Sequence, residues 1–99
     1  MLEVFSIRVA ICRFELHIAE AGNLKQKRKV LQSLIQRLRA RFNISVTEVG
    51  SQDLWQRSEL GLAAICHNSS GADRVVQQLI SFIESEGRVE IIASRVEIY

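Results

Sequence analysis

The order of hydrophobic periods along this chain leaves few folds open to it. The period is two, then 3.6, then two in two separate runs, then 3.6, then two. Across residues 4–18, Ala10, Cys12, Phe14, Leu16 and Ile18 fall on one side and Val9, Ile11, Arg13, Glu15 and His17 on the other, which predicts a strand with one face in a core. Gly22 allows the chain to turn, and Asn23 with Gln26 reads as a helix cap with its capping-box partner. A helix over 24–42 follows, with Leu24, Leu31, Leu34, Ile35, Leu38 and Phe42 on one stripe. Residues 43–49 are rich in β-branched side chains and predict a second strand, 50–57 a loop, and 58–67 a third strand. After a turn at 68–71, Ser70 and Asp73 open a second helix with the stripe Ala72, Val75, Val76, Leu79, Phe82 and Ile83, stopped at Gly87. Residues 88–98 form the last strand, with a kink near Ala93 where the alternation slips.

The order β-α-β-β-α-β, with right-handed crossovers, predicts an α+β ferredoxin-like sandwich: a four-stranded antiparallel sheet with both helices on one face. Ninety-nine residues, 47% of them hydrophobic, suit one domain over 1–99, with residues 1–8 as an extension. No apolar run approaches the roughly 20 residues that span a bilayer. Glu3, Arg8 and Arg13 interrupt the apolar N-terminal stretch, so no signal-peptide core is expected and the cytoplasm is the expected compartment.

Charge is segregated. Residues 24–42 hold seven of the thirteen basic side chains (Lys25, Lys27, Arg28, Lys29, Arg37, Arg39 and Arg41) and no acid. The rest of the chain carries six basic and eleven acidic groups, so a segment of +7 sits on a body of −5. The start of a helix is already electropositive and prefers acids. Here it receives Lys25, Lys27, Arg28 and Lys29. Lys25 with Lys29, and Arg37 with Arg41, are like-charged neighbours four apart, each costing about 0.2–0.5 kcal/mol in an isolated helix. A docked anion reverses the sign of these interactions, and nucleic-acid phosphate is the expected one. The competing explanation is that acids of the same chain, such as Glu20, Glu48 or Glu84, take up the charge. Lys27 lies about 40° from Leu31 on a helical wheel, inside the apolar stripe. It is expected to snorkel out at the helix end and converge with Arg28.

The loop Gln52-Asp53-Leu54-Trp55-Gln56-Arg57 holds the single tryptophan. A ring flanked by amides, an acid and an arginine can stack a base and bond its edge. The alternative is that Trp55 caps the core while Asp53 pairs with Arg57 or a helix lysine. Elsewhere the chemistry is plain. Cys12 and Cys66 are far apart in apolar runs and read as buried thiols. His17 and His67 lack a spaced ligand set, so no metal and no cofactor are expected. Ser69 and Ser70 have no His/Asp pattern beside them, and no nucleophile, base and orienter recur at a recognisable spacing, so an enzyme is not expected. The open sheet face, at Val9, Ile11, Arg13, Glu15, His17, Gly61, Ala63, Ile65 and His67, offers no aromatic of the kind that RNA-recognition-motif sheets use.

Taken together, Leu24-Lys25-x-Lys27-Arg28, Arg37-Leu38-Arg39-x-Arg41-Phe42-Asn43-x-Ser45-Val46-x-Glu48, the Gln52–Arg57 string and Gly61 resemble the YlxP-like family of small bacterial proteins. The resemblance covers roughly residues 9–98. It implies a ferredoxin-like fold and, because members tend to be encoded beside translation-initiation and ribosome-assembly factors, a role near the ribosome. This chain has Ala19 where members often carry Pro, and Asn23 where Ser is common.

The expectation is therefore a non-enzymatic, cytoplasmic protein that binds RNA or a ribosomal surface. Lys25, Lys27, Arg28 and Lys29 would meet phosphates, and Gln52, Asp53, Trp55, Gln56 and Arg57 would form the adjoining rim. Removing Lys25, Lys27 and Arg28 together is expected to leave folding intact and flatten the salt slope of binding by up to about three units. The alternative is a protein-interaction or small-ligand regulatory module, a homodimer through the open sheet face at Val9, Ile11, Ala63 and Ile65.

Overall fold

Six elements follow in the expected order in the computed structural model, which describes residues 7–99. They are β1 (Arg8–His17), α1 (Leu24–Arg41), β2 (Ile44–Gly50), β3 (Arg57–Cys66), α2 (Ser69–Glu84) and β4 (Glu90–Ile98). The part of the first strand expected at residues 4–6 lies outside the described residues. Of the stretch set apart as an extension, Arg8 already belongs to β1 and pairs with Cys66.

The sheet runs β2-β3-β1-β4, antiparallel at every neighbour. Alternation along β1 and β3 sends Ala10, Cys12, Phe14, Leu16, Leu60, Leu62 and Ala64 inward. Leu31, Leu34 and Leu38 of α1 and Ala72, Val76, Leu79 and Ile83 of α2 close the same core from one side. Both helices therefore cover one sheet face and leave the other open. The predicted stripes are the buried faces because a period of 3.6 brings those side chains over one flat surface.

Two irregularities bend the edges. Opposite Glu15 and Leu16 the register of β4 jumps from Ala93 to Ile91, so the expected slip falls at Ile92, one residue before Ala93. In β2 the register jumps from Glu48 to Gly50, leaving Val49 as the extra residue. Val49 folds over Gly61, where an added Cβ would stand 2.9 Å from Val49 Cγ1. That close approach is why a glycine sits in the middle of β3.

The caps confirm one expectation and correct another. Asn23 Oδ1 accepts from the Gln26 backbone N–H at 2.9 Å, and Gln26 Oε1 accepts from Gly22 N–H at 2.6 Å. In α2 the cap is Asn68, whose Oδ1 accepts from Gly71 N–H at 2.8 Å. Ser69 and Ser70 already belong to the first turn, so the Ser70–Asp73 pair does not open this helix. Among the described residues no helix is long and apolar enough to cross a membrane.

Candidate nucleic-acid interface

The seven cations of residues 24–42 separate into two groups. Four have partners inside the molecule. Lys27 is 1% exposed. Its ammonium stands 3.0 Å from Glu48 Oε2 and donates to the carbonyls of Ser51 at 2.6 Å and Gln52 at 3.3 Å. Ser58 Oγ donates to the same Glu48 oxygen at 2.7 Å. Arg37 is held by Glu86, a carboxylate only 1% exposed that also accepts from Arg88. Arg39 donates to the Val46 carbonyl at 2.8 Å and so ties α1 to β2. Arg41 lies over the rings of Phe42 and Phe82, at 6.0 and 5.9 Å from their centres.

Lys27 therefore does not snorkel out to meet phosphate. Position 27 continues the apolar stripe of α1, and Glu48 and Ser58 sit at inward positions of β2 and β3. A charge that cannot reach water must be paired and fully hydrogen-bonded. Glu48 and the two carbonyls supply this, and among the described residues no buried side-chain nitrogen or oxygen lacks a partner. The signal was present in the sequence: Lys27, Glu48 and Ser58 are three polar residues at core-facing positions of three neighbouring elements.

The second group is Lys25, Arg28 and Lys29. All three are exposed and none forms an ion pair among the described residues. No acid lies in the first turn of α1. At 100° per residue, Arg28 lies on the Leu24 side, Lys25 at the crown and Lys29 on the Val30 side. Lys29 lines a cavity of about 300 Å³ with Gln26, Glu20 and Arg88. The turn is thus electropositive and solvated, with its three cations spread over about 100° of the helix circumference.

Lys27 also shapes the neighbouring loop, residues 51–56. Ser51, whose carbonyl it holds, has φ +58°, a left-handed conformation uncommon outside glycine and asparagine. The loop is tied from its other end by Gln56. Its carbonyl accepts from Ile18 N–H at 2.9 Å, and its side-chain amide donates to Ala19 and Ala21 at 3.0 and 3.3 Å. Gln56 is therefore a tie between loops, and its amide is already engaged within the chain. Arg57 opens β3 opposite His17. Its neighbour Ser58 is buried, so alternation turns Arg57 to the open sheet face, away from α1. Gln52, Asp53 and Trp55 remain exposed. Trp55, 54% exposed, does not cap the core, and Asp53 makes no ion pair with Arg57 or a lysine among the described residues.

The rest of the molecule offers little reactive chemistry. Burial, with some help from Cys66, pushes the Cys12 thiol up to about 11, so it stays protonated near neutral pH. Among the described residues no His, Cys, Asp or Glu cluster could hold a metal ion. On the open face, Arg13 pairs with Glu59 at 2.7 Å, and beyond that pair lies an apolar end with Ile11 and Ile65, the latter 70% exposed. Tyr99 joins this end beside Val9.

Sheet order and helix placement define a ferredoxin-like α+β domain, here with a cationic helix entrance beside a pinned aromatic loop. The designed protein Foldit4 shares this fold, with a TM-score of 0.53 and 13% identity over 94% of this chain and 96% of that one. The chain belongs to the family described as Protein of unknown function (DUF503), which matches residues 9–96. It is 35% identical over 89 residues to the uncharacterized protein YlxP of Bacillus subtilis (strain 168), covering 90% of this chain and 97% of that protein. The resemblance read from the motifs is thereby established.

Proposed function

We propose that this chain is a non-enzymatic binding protein of the cytoplasm that takes RNA, free or on a ribosomal surface, at the exposed entrance of α1. The observation that carries the reading is the sorting of the helix cations. Lys27, Arg37, Arg39 and Arg41 have internal partners, whereas Lys25, Arg28 and Lys29 are left in solvent at an electropositive helix start with no acid in its first turn. Solvation and stability alone favour acids at that place. A polyanion satisfies the three side chains and the helix dipole together. Lys27 takes the role of scaffold, holding the loop that borders the site.

Crosslinking in cells, followed by mapping of the attached peptides, tests this reading. RNA is expected on peptides that contain Lys25, Arg28 and Lys29. Attachment confined to the helical face of α2, or to protein alone, contradicts it.

The apolar end of the open sheet favours a second reading, self-association through Ile11 and Ile65. The two are compatible, because a dimer through that face leaves α1 uncovered. Light scattering at micromolar concentration separates a dimer from a monomer.

A further inference from the structure

We propose that the ligand at the entrance of α1 is single-stranded RNA, and that Trp55 stacks one of its bases. This inference rests on the cationic turn being an RNA site and narrows it to a class of RNA. Three observations carry it. The first is exposure: Leu54 and Trp55 are 52% and 54% exposed, and neither belongs to the core or to its packed margin. Among the described residues the indole takes no part in aromatic or cation–π contacts. Leu54 and Trp55 together leave an apolar patch in water, and the core is closed without them.

The second is order. The loop that carries the ring is held at both ends, by the Lys27 ammonium on Ser51 and Gln52 and by Gln56 on Ile18, Ala19 and Ala21. Inside it, Leu54 N–H donates to the Ser51 carbonyl at 3.2 Å. The ring is therefore presented by fixed backbone, which lowers the ordering cost of binding.

The third is charge. The residue that pins the loop, Lys27, lies in the same first turn as Lys25, Arg28 and Lys29, so exposed cations and exposed ring belong to one end of the molecule. Asp53, exposed two residues before Trp55, repels phosphate from the ring's immediate surroundings. A backbone followed by cations with bases laid on an aromatic face is the arrangement by which single strands are held. A duplex keeps its base faces inside the stack and offers none to a tryptophan.

Trp55 is the sole tryptophan, so its fluorescence reports the site directly. The test titrates the full chain with a mixed-sequence RNA oligonucleotide, single-stranded and as a duplex, at low and moderate salt. Single strands are expected to quench the emission and the duplex to leave it unchanged. Read by the anisotropy of a fluorescein-labelled oligonucleotide, since the variants hold no tryptophan, Trp55→Ala is expected to weaken single-strand binding about 5- to 150-fold with the same salt slope and an unchanged melting midpoint, and Trp55→Phe to recover part of the loss. If Trp55→Ala binds single strands as the natural chain does, while loss of Lys25, Arg28 and Lys29 abolishes binding, the stacking proposal is overturned and the cationic-turn reading stands. If the natural chain binds neither RNA form at low salt, the cationic-turn reading fails, and this inference with it.

Discussion

At the scale of single residues, Lys27 shows how a charge can be both costly and necessary. Its ammonium is desolvated, and Glu48, Ser51 and Gln52 offset that cost. Lys27→Met removes the donor and leaves Glu48 and two carbonyls short of a partner. Breaking such a buried pair from one side costs about 3–5 kcal/mol. Lys25→Met, in solvent two positions away, is expected to stay within about 0.5 kcal/mol of the natural chain. Urea denaturation midpoints check both. A change that included Lys27 would thus confound binding with unfolding, so the expectation that Lys25, Lys27 and Arg28 could be removed together without harm to the fold is withdrawn.

At the scale of elements, the two helices begin alike, although the sequence reading separated them. Each starts on an asparagine whose side chain accepts the N–H three residues on. Asn68→Ala is expected to cost about 1 kcal/mol, within the range of about 0.5–2 for a lost cap. Ser70→Ala, in the first turn, is expected to cost less than about 0.5 kcal/mol. The reverse order in thermal melts would restore Ser70 as the cap.

Element identity was legible because periods of two and 3.6 persist over whole segments, and the helix stripes became the buried faces. The slip in β4 was visible as a break in alternation near Ala93, and the extra residue is its neighbour Ile92, since pattern alone does not say which of two neighbours is extruded. The fate of the basic residues was less legible. On a helical wheel Arg37 and Arg41 share one side and Arg39 lies on the other, but the wheel does not show that they meet Glu86, two phenylalanine rings and the Val46 carbonyl, partners that depend on how the elements pack. Gln56 likewise depends on where the β1–α1 turn lies. Lys27 with Glu48 and Ser58 is the exception, since all three stand at core positions of the pattern.

At the scale of the whole molecule, Glu86 ties α1 to the α2–β4 turn through Arg37 and Arg88. Burial raises the affinity of this carboxyl for its proton, but the bonds from Arg88 and Arg37 outweigh it and hold the group below the usual glutamate range. A carboxyl depressed in the folded state stabilises the fold fully above its unfolded value, about pH 4.3, and loses that contribution as pH falls through the folded value. Glu86→Gln is therefore expected to be less stable than the natural chain near neutral pH. The gap should close on acidification below about pH 4, as followed by denaturation at a series of pH values. A gap independent of pH would show that the carboxylate charge contributes nothing.

The proposed RNA site likewise belongs to the whole molecule, because internal partners on β2, α2 and the α2–β4 turn leave three cations of α1 for an outside ligand. The most direct measurement is the slope of log affinity for RNA against log salt concentration, for the natural chain and for Lys25→Gln, Arg28→Gln and Lys29→Gln combined. Three lost phosphate contacts predict a slope shallower by about 2–3 units, at about 0.7–0.9 per contact, with the denaturation midpoint held. Equal slopes for the two proteins would contradict the account.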